Sequence, residues 1–197
     1  MSNGSMSPSA DHTGSVRIRV PLALLLVLVA LVALVALAVG FVASKTVRQP
    51  YETPFLHLFF SDPLHMKAWL VTAALLLALG QLLTASRIYE VLHFPPRGRF
   101  YSLVHRWSGR VAILLTLPAA YHCIFMLGFG TYSSRAYVHS LLGSLVYGAV
   151  LAKVLLVRSS GFPGLALPIA GAVLFFILLG LWLTSSFWFF NTFGIGT

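Results

Sequence analysis

Residues 104–149 read VHRWSGRVAILLTLPAAYHCIFMLGFGTYSSRAYVHSLLGSLVYGA, two apolar runs joined by a short turn rich in glycine and serine, with histidines at positions 105, 122 and 139. At about 1.5 Å of rise per residue, each run is long enough to cross roughly 30 Å of hydrocarbon as a helix. Imidazole is a poor lipid-facing group and the commonest metal ligand among side chains, so its recurrence at membrane depth requires a partner. The pattern points to haem iron as that partner.

The rest of the chain repeats the same apolar grammar. Of 197 residues, 58% are hydrophobic and 9% charged. That composition predicts an all-α integral membrane bundle of five transmembrane helices, with spans at about residues 20–43, 66–86, 105–127, 137–157 and 165–189. Residues 1–16 (MSNGSMSPSADHTGSV) are small, polar and aperiodic, as expected of a disordered tail in which His12 is solvated, and residues 17–197 form one membrane domain. The first span follows Arg17 and Arg19 and is an unbroken Leu/Val/Ala run, too long for a cleaved signal core of about 7–15 residues. It reads as a retained, lipid-facing anchor. Residues 44–65, with their prolines and aromatics, suit an interfacial segment in which Phe55, Phe59 and Phe60 dip into the headgroup region, and residues 87–101, with Pro95, Pro96 and Gly98, suit a loop.

A formal charge of +9 would suggest nucleic acid in a soluble protein, but here the cations lie at the ends of apolar runs, where they meet lipid headgroups. Nucleic acid is therefore not an expected partner. Arg17, Arg19, Arg87, Arg97, Arg99, Arg106, Arg110, Lys153 and Arg158 fall on the face shared with the N-terminus, nine of the 13 basic residues; Lys45, Arg48, Lys67 and Arg135 fall on the other. The excess places the N-terminus in the cytoplasm and, after five crossings, the C-terminus outside.

Counting residues from the turn between spans three and four puts His122 and His139 within about one helical turn of each other in height, towards the outer leaflet. A haem plane between the two helices would take both as axial ligands. Gly143 stands one turn beyond His139 with Ser140 and Ser144 beside it, small residues that allow the close approach a flat macrocycle needs. Pro118, one turn before His122, removes a backbone donor and is expected to bend span three and free a carbonyl that orients the imidazole. His105 lies seventeen residues before His122, about 25 Å along the axis, so one haem does not use both. With Arg106 and Arg110 it suits a second haem partnered by His93, a quinone headgroup, or a cofactor carboxylate. Beside Trp107 it equally suits an interfacial histidine. His57 and His65 read as interfacial too, with His65 a replacement ligand should the assigned pair be wrong. Cys123 is the one cysteine and no C-x-x-C-H is present, which excludes covalent c-type attachment.

The segments VHRWSGR (104–110), AYHC (120–123) and HSLLGSLVYGA (139–149) resemble the cytochrome b561 and ferric-reductase-like transmembrane group. That resemblance, over spans two to five, implies non-covalent haem b, bis-histidine ligation and electron transfer. Two features depart from the group's pattern: the seventeen-residue separation of His105 and His122 is wider than its paired ligands, and span four carries a single histidine. The segments also look like an actinobacterial membrane family, which implies a multi-pass protein of the bacterial plasma membrane and suits a respiratory accessory subunit.

Absences narrow the function further. The acids are Asp11, Glu52, Asp62 and Glu90, all outside the apolar spans, which weighs against a proton or cation relay. No nucleotide loop, nucleophile with its base, or flavin-binding pattern is present. The expected role is an electron-carrying subunit that meets other membrane redox subunits or an extracytoplasmic redox partner. Two alternatives stand beside it: a haem-free structural subunit using the aromatic stretch FWFFNTF (187–193) as a contact, and a quinone-binding subunit using His105 and Arg106.

Overall fold

In the computed structural model, which describes residues 22–46, 58–93, 98–159 and 162–195, every described regular element is helical. The helices are α1 (Leu22–Lys45), α2 (Pro63–Ile88), α3 (Arg99–His122), α4 (Ser134–Arg158), α5 (Ala166–Trp182) and a short α6 (Trp188–Phe193). Two π-helical turns interrupt them: Cys123–Leu127 extends α3, and Leu183–Phe187 joins α5 to α6. By length and composition, α1, α2, α3 with its π turn, α4, and the α5–α6 unit are each able to cross a membrane. The described residues thus hold five helices able to cross, as the hydropathy pattern implies. The expected tail at residues 1–16, with Arg17 and Arg19, lies outside the described residues, as do His57, Glu52, Phe55 and Arg97.

Local chemistry sets the helix starts earlier than the apolar runs do. α2 begins at Pro63 rather than Met66 because Asp62 caps it, its Oδ1 accepting from the amides of Leu64 (2.7 Å) and His65 (3.1 Å), with proline at the first helical position. α3 begins at Arg99 rather than His105, directly after Gly98, so residues 99–104 are helical and His105 sits in the second turn. α4 begins at Ser134 because the Ser133 hydroxyl accepts from the Ala136 amide at 3.2 Å. A hydrophobicity count alone misses such polar first turns.

The arrangement of the helices creates the site. α3 packs on α2, α2 on α5, α5 on α4 and α4 on α1, while the π turn after α3 reaches back to α1. Sequential neighbours α3 and α4 scarcely touch at the backbone level. Buried Val71, Ala74 and Leu75 of α2, Ala112 and Ala119 of α3, and Leu178 of α5 form the core. The Trp182 indole donates to the Thr72 hydroxyl at 2.9 Å, tying α5 to α2. Outward-facing Leu34, Leu37, Leu76, Leu114 and Phe176 are exposed, an apolar rim that suits lipid.

Two glycines fix α1. A Cβ at Gly148 of α4 would lie 2.8 Å from the Val32 carbonyl oxygen, so glycine permits this close helix pair. Gly128, at φ +70°, turns the chain after the π turn beneath the end of α1, where the Phe129 amide donates to the Ala43 carbonyl (3.0 Å) and the Thr46 hydroxyl to that of Ile124 (2.8 Å).

Candidate functional site

The gap between α3 and α4 is a cavity of about 550 Å³, within the roughly 300–1,000 Å³ typical of cofactor pockets. Its walls come from all five crossings, from Val39 and Ala43 on α1 to Trp188 and Phe189 on α6. His122 and His139 both line it, as do Gly143, Ser140 and Ser144. The cavity therefore unites the two histidines and the small-residue face that the sequence singles out. At its floor Thr116 of α3 and Tyr147 of α4 meet at 3.2 Å; Thr116 gives its proton to the Ile113 carbonyl (2.7 Å), so the tyrosine hydroxyl is the donor across the gap.

His139 is oriented by a neighbouring helix end. The Thr184 hydroxyl, in the second π turn, donates to the Gly180 carbonyl at 2.7 Å and accepts from His139 Nδ1 at 2.9 Å. The proton is thereby held on Nδ1, leaving the lone pair on Nε2, the tautomer in which a histidine binds metal. Nε2 faces the Cys123 Sγ at 3.9 Å. So the side chain opposite His139 across the gap is Cys123, the residue next to His122. His122 is 3% exposed, with its ring edge-on to Tyr121 at 5.7 Å between centroids.

π-helical turns widen a helix and recur at functional sites; both of these lie on the cavity wall. They begin at Cys123, directly after His122, and at Leu183, directly before Thr184. Pro118 sits inside α3 one turn before His122, where the sequence argument has it.

Two cations complete the lining. Lys67 of α2 and Arg135 of α4 are half-buried on the cavity wall. Arg135 donates through Nη1 to the Thr184 carbonyl at 2.6 Å and stacks 3.8 Å above the Trp188 ring. Asp62 also lines the cavity, but its oxygens accept from the Leu64 and His65 amides and from the His65 ring.

The structure keeps His105, Arg106 and Arg110 out of this cavity. His105 Nδ1 donates to the Thr84 hydroxyl of α2 at 2.9 Å, and its carbonyl accepts from the Gln81 amide. Arg106 is exposed and bonds the Ser102 carbonyl of its own helix, while Arg110 lies 5.0 Å over the Trp107 ring. None of the three lines the space between His122 and His139. His65 pairs with Asp62 and packs edge-on against Phe189 at 4.8 Å, and it too is outside the lining.

Sequence reasoning missed Thr184, Cys123, Lys67 and Arg135. A signal for the threonine was present, because LALGQLLTAS (77–86) and ILLGLWLTSS (177–186) share a Gly-x-x-x-Thr core. In both, the threonine returns its proton to its own helix and accepts from a histidine Nδ1 on the adjacent antiparallel helix, Thr84 from His105 and Thr184 from His139.

Among the described residues no three of His, Cys, Asp and Glu gather closely enough to hold a bare metal ion. The arrangement instead offers one or two nitrogen or sulfur donors across an apolar slot. No curated protein and no solved structure matches the chain. A family model covering residues 24–197 does match, and the chain belongs to that family, described as a family of unknown function (DUF6529).

Proposed function

We propose that the protein is a small membrane b-type cytochrome that carries electrons through a haem held in the α3–α4 cavity, with His139 and His122 as axial ligands. The observation that carries this reading is His139, held by Thr184 through Nδ1 so that its Nε2 meets the cavity opposite Cys123. A haem would be held by few side chains, here His122 and His139 of the cavity lining. Haem, when bound, supplies a one-electron iron couple.

The chain's own residues perform the remaining tasks. Thr184 holds the ring of His139, and Ala119, Ala120, Ala136 and Gly143 leave room for a flat ring. In this reading the cavity lies in the outer half of a bacterial plasma membrane with the N-terminus cytoplasmic, an orientation that the basic-residue excess supports. Electrons then leave to an extracytoplasmic partner or a second membrane subunit.

One observation favours a variant ligand set. Cys123 Sγ lies 3.9 Å from His139 Nε2, so Cys123 in place of His122 would be the second side chain to hold the group. Titration of haem-free protein with ferric haem tests both forms. Saturable 1:1 binding with a low-spin bis-imidazole spectrum is expected, a thiolate-type spectrum transfers the second ligand to Cys123, and absence of saturable binding overturns the cytochrome reading.

A further inference from the structure

Lys67 and Arg135 remain unexplained by ligation. Two half-buried cations in a predominantly apolar wall are costly in a membrane protein and call for counter-charge. Among the described residues no carboxylate pairs with either one. The nearest acid in the lining, Asp62, is occupied by the start of α2 and by His65. Lys67 lines the same cavity as Cys123 and His139. Arg135 is held in place by the Thr184 carbonyl and the Trp188 face, leaving its other guanidinium hydrogens available.

We propose that Lys67 and Arg135 bind the acidic edge of the cavity's ligand, so that the site selects a flat apolar ring bearing carboxylates and sets which edge faces the outer surface. The proposal rests on the haem reading, in which those groups are the two propionates. Arginine forks match a carboxylate in two parallel hydrogen bonds, and lysine adds a point charge on the opposite side of the gap, from α2 against α4.

The test uses the purified full chain in detergent, freed of haem, and two probes: ferric protoporphyrin IX and its dimethyl ester, which share iron and ring and differ in charge. The native chain is expected to bind the diacid at least about tenfold more tightly than the ester. Lys67→Met with Arg135→Met is expected to bring that ratio near unity. Because Arg135 also supports the second π turn, Lys67→Met alone serves as the milder variant. It is expected to lower the ratio severalfold without altering the thermal transition. Oleate, a carboxylate without a ring, is expected not to displace the diacid at equal concentration. Equal binding of diacid and ester by the native chain, an unchanged ratio in both variants, or displacement by oleate overturns the proposal while leaving the haem reading intact. Binding of neither porphyrin overturns both.

Discussion

Thr184 and His139 lie 2.9 Å apart, hydroxyl oxygen to Nδ1, and because the threonine proton is committed to the Gly180 carbonyl the histidine must be the donor. This bond is the clearest link between the fold of α5 and the chemistry proposed for α4. Replacing Thr184 by Val removes the acceptor while keeping the shape. Partners of this kind are typically worth 10–100-fold in metal affinity, so Thr184→Val is expected to weaken ferric haem binding by roughly tenfold or more, with Thr184→Ser close to the native value. Equilibrium titration checks this, and equal affinity in all three proteins would separate Thr184 from ligation.

His122 and Cys123 are neighbours that point to different assignments. With His122 as the second ligand, His122→Ala is expected to convert a low-spin spectrum to a high-spin one, and Cys123→Ala to leave it unchanged. The reverse pattern in absorption and electron paramagnetic resonance spectra assigns the position to the thiol that faces His139 Nε2.

His105 shares its hydrogen-bond geometry with His139 but not its cavity. His105→Ala is accordingly expected to retain the native haem-to-protein ratio. A halved ratio would establish a second haem at the opposite end of the bundle.

These outcomes bear on how much the residues alone could say. Five crossings, the shared cavity of His122, His139 and Gly143, and the separate position of His105 all follow from apolar run lengths and from counting 1.5 Å per residue about one short turn. The starts of α2, α3 and α4 do not, because Asp62, Gly98 and Ser133 act through backbone geometry that hydropathy ignores. The Gly-x-x-x-Thr repeat marks Thr184, but Lys67 and Arg135 were beyond reach for a different reason. They come from helices distant in sequence, and only the packing of the bundle brings them to one cavity.

Asp62 gives the fold a pH-dependent element. Burial by itself raises its carboxyl, yet the backbone and side-chain hydrogen bonds to His65 and the one from the Leu64 amide outweigh that and hold it below the ordinary aspartate value of 3.8. A depressed folded value means that the contribution is complete above the unfolded value and is lost as pH falls through the folded one. Asp62→Asn is therefore expected to be less stable than the native chain at pH 7, by no more than about 1 kcal/mol for so exposed a carboxylate. The gap should close below about pH 4. Thermal unfolding in detergent across pH 3–7 checks this, and a gap that widens on acidification would contradict it.

Gly148 sets the spacing of α1 and α4. A methyl group there meets the Val32 carbonyl oxygen at 2.8 Å, backbone that has no rotamer in which to retreat. Gly148→Ala is expected to cost about 1–3 kcal/mol, the usual range for overpacking, and Gly148→Val more. A progressive fall in the thermal transition checks it; an unchanged transition would show that α1 is free to shift.

The central claim, a haem between α3 and α4 on His139, is tested most directly by a dithionite-reduced minus air-oxidised spectrum of the purified chain after haem-replete expression, with pyridine haemochrome quantification. The expected result is a b-type spectrum at one haem per chain that disappears in His139→Ala while that variant still assembles as a folded membrane protein. A native chain with no reducible Soret band, or a His139→Ala variant with the native haem content, would contradict it.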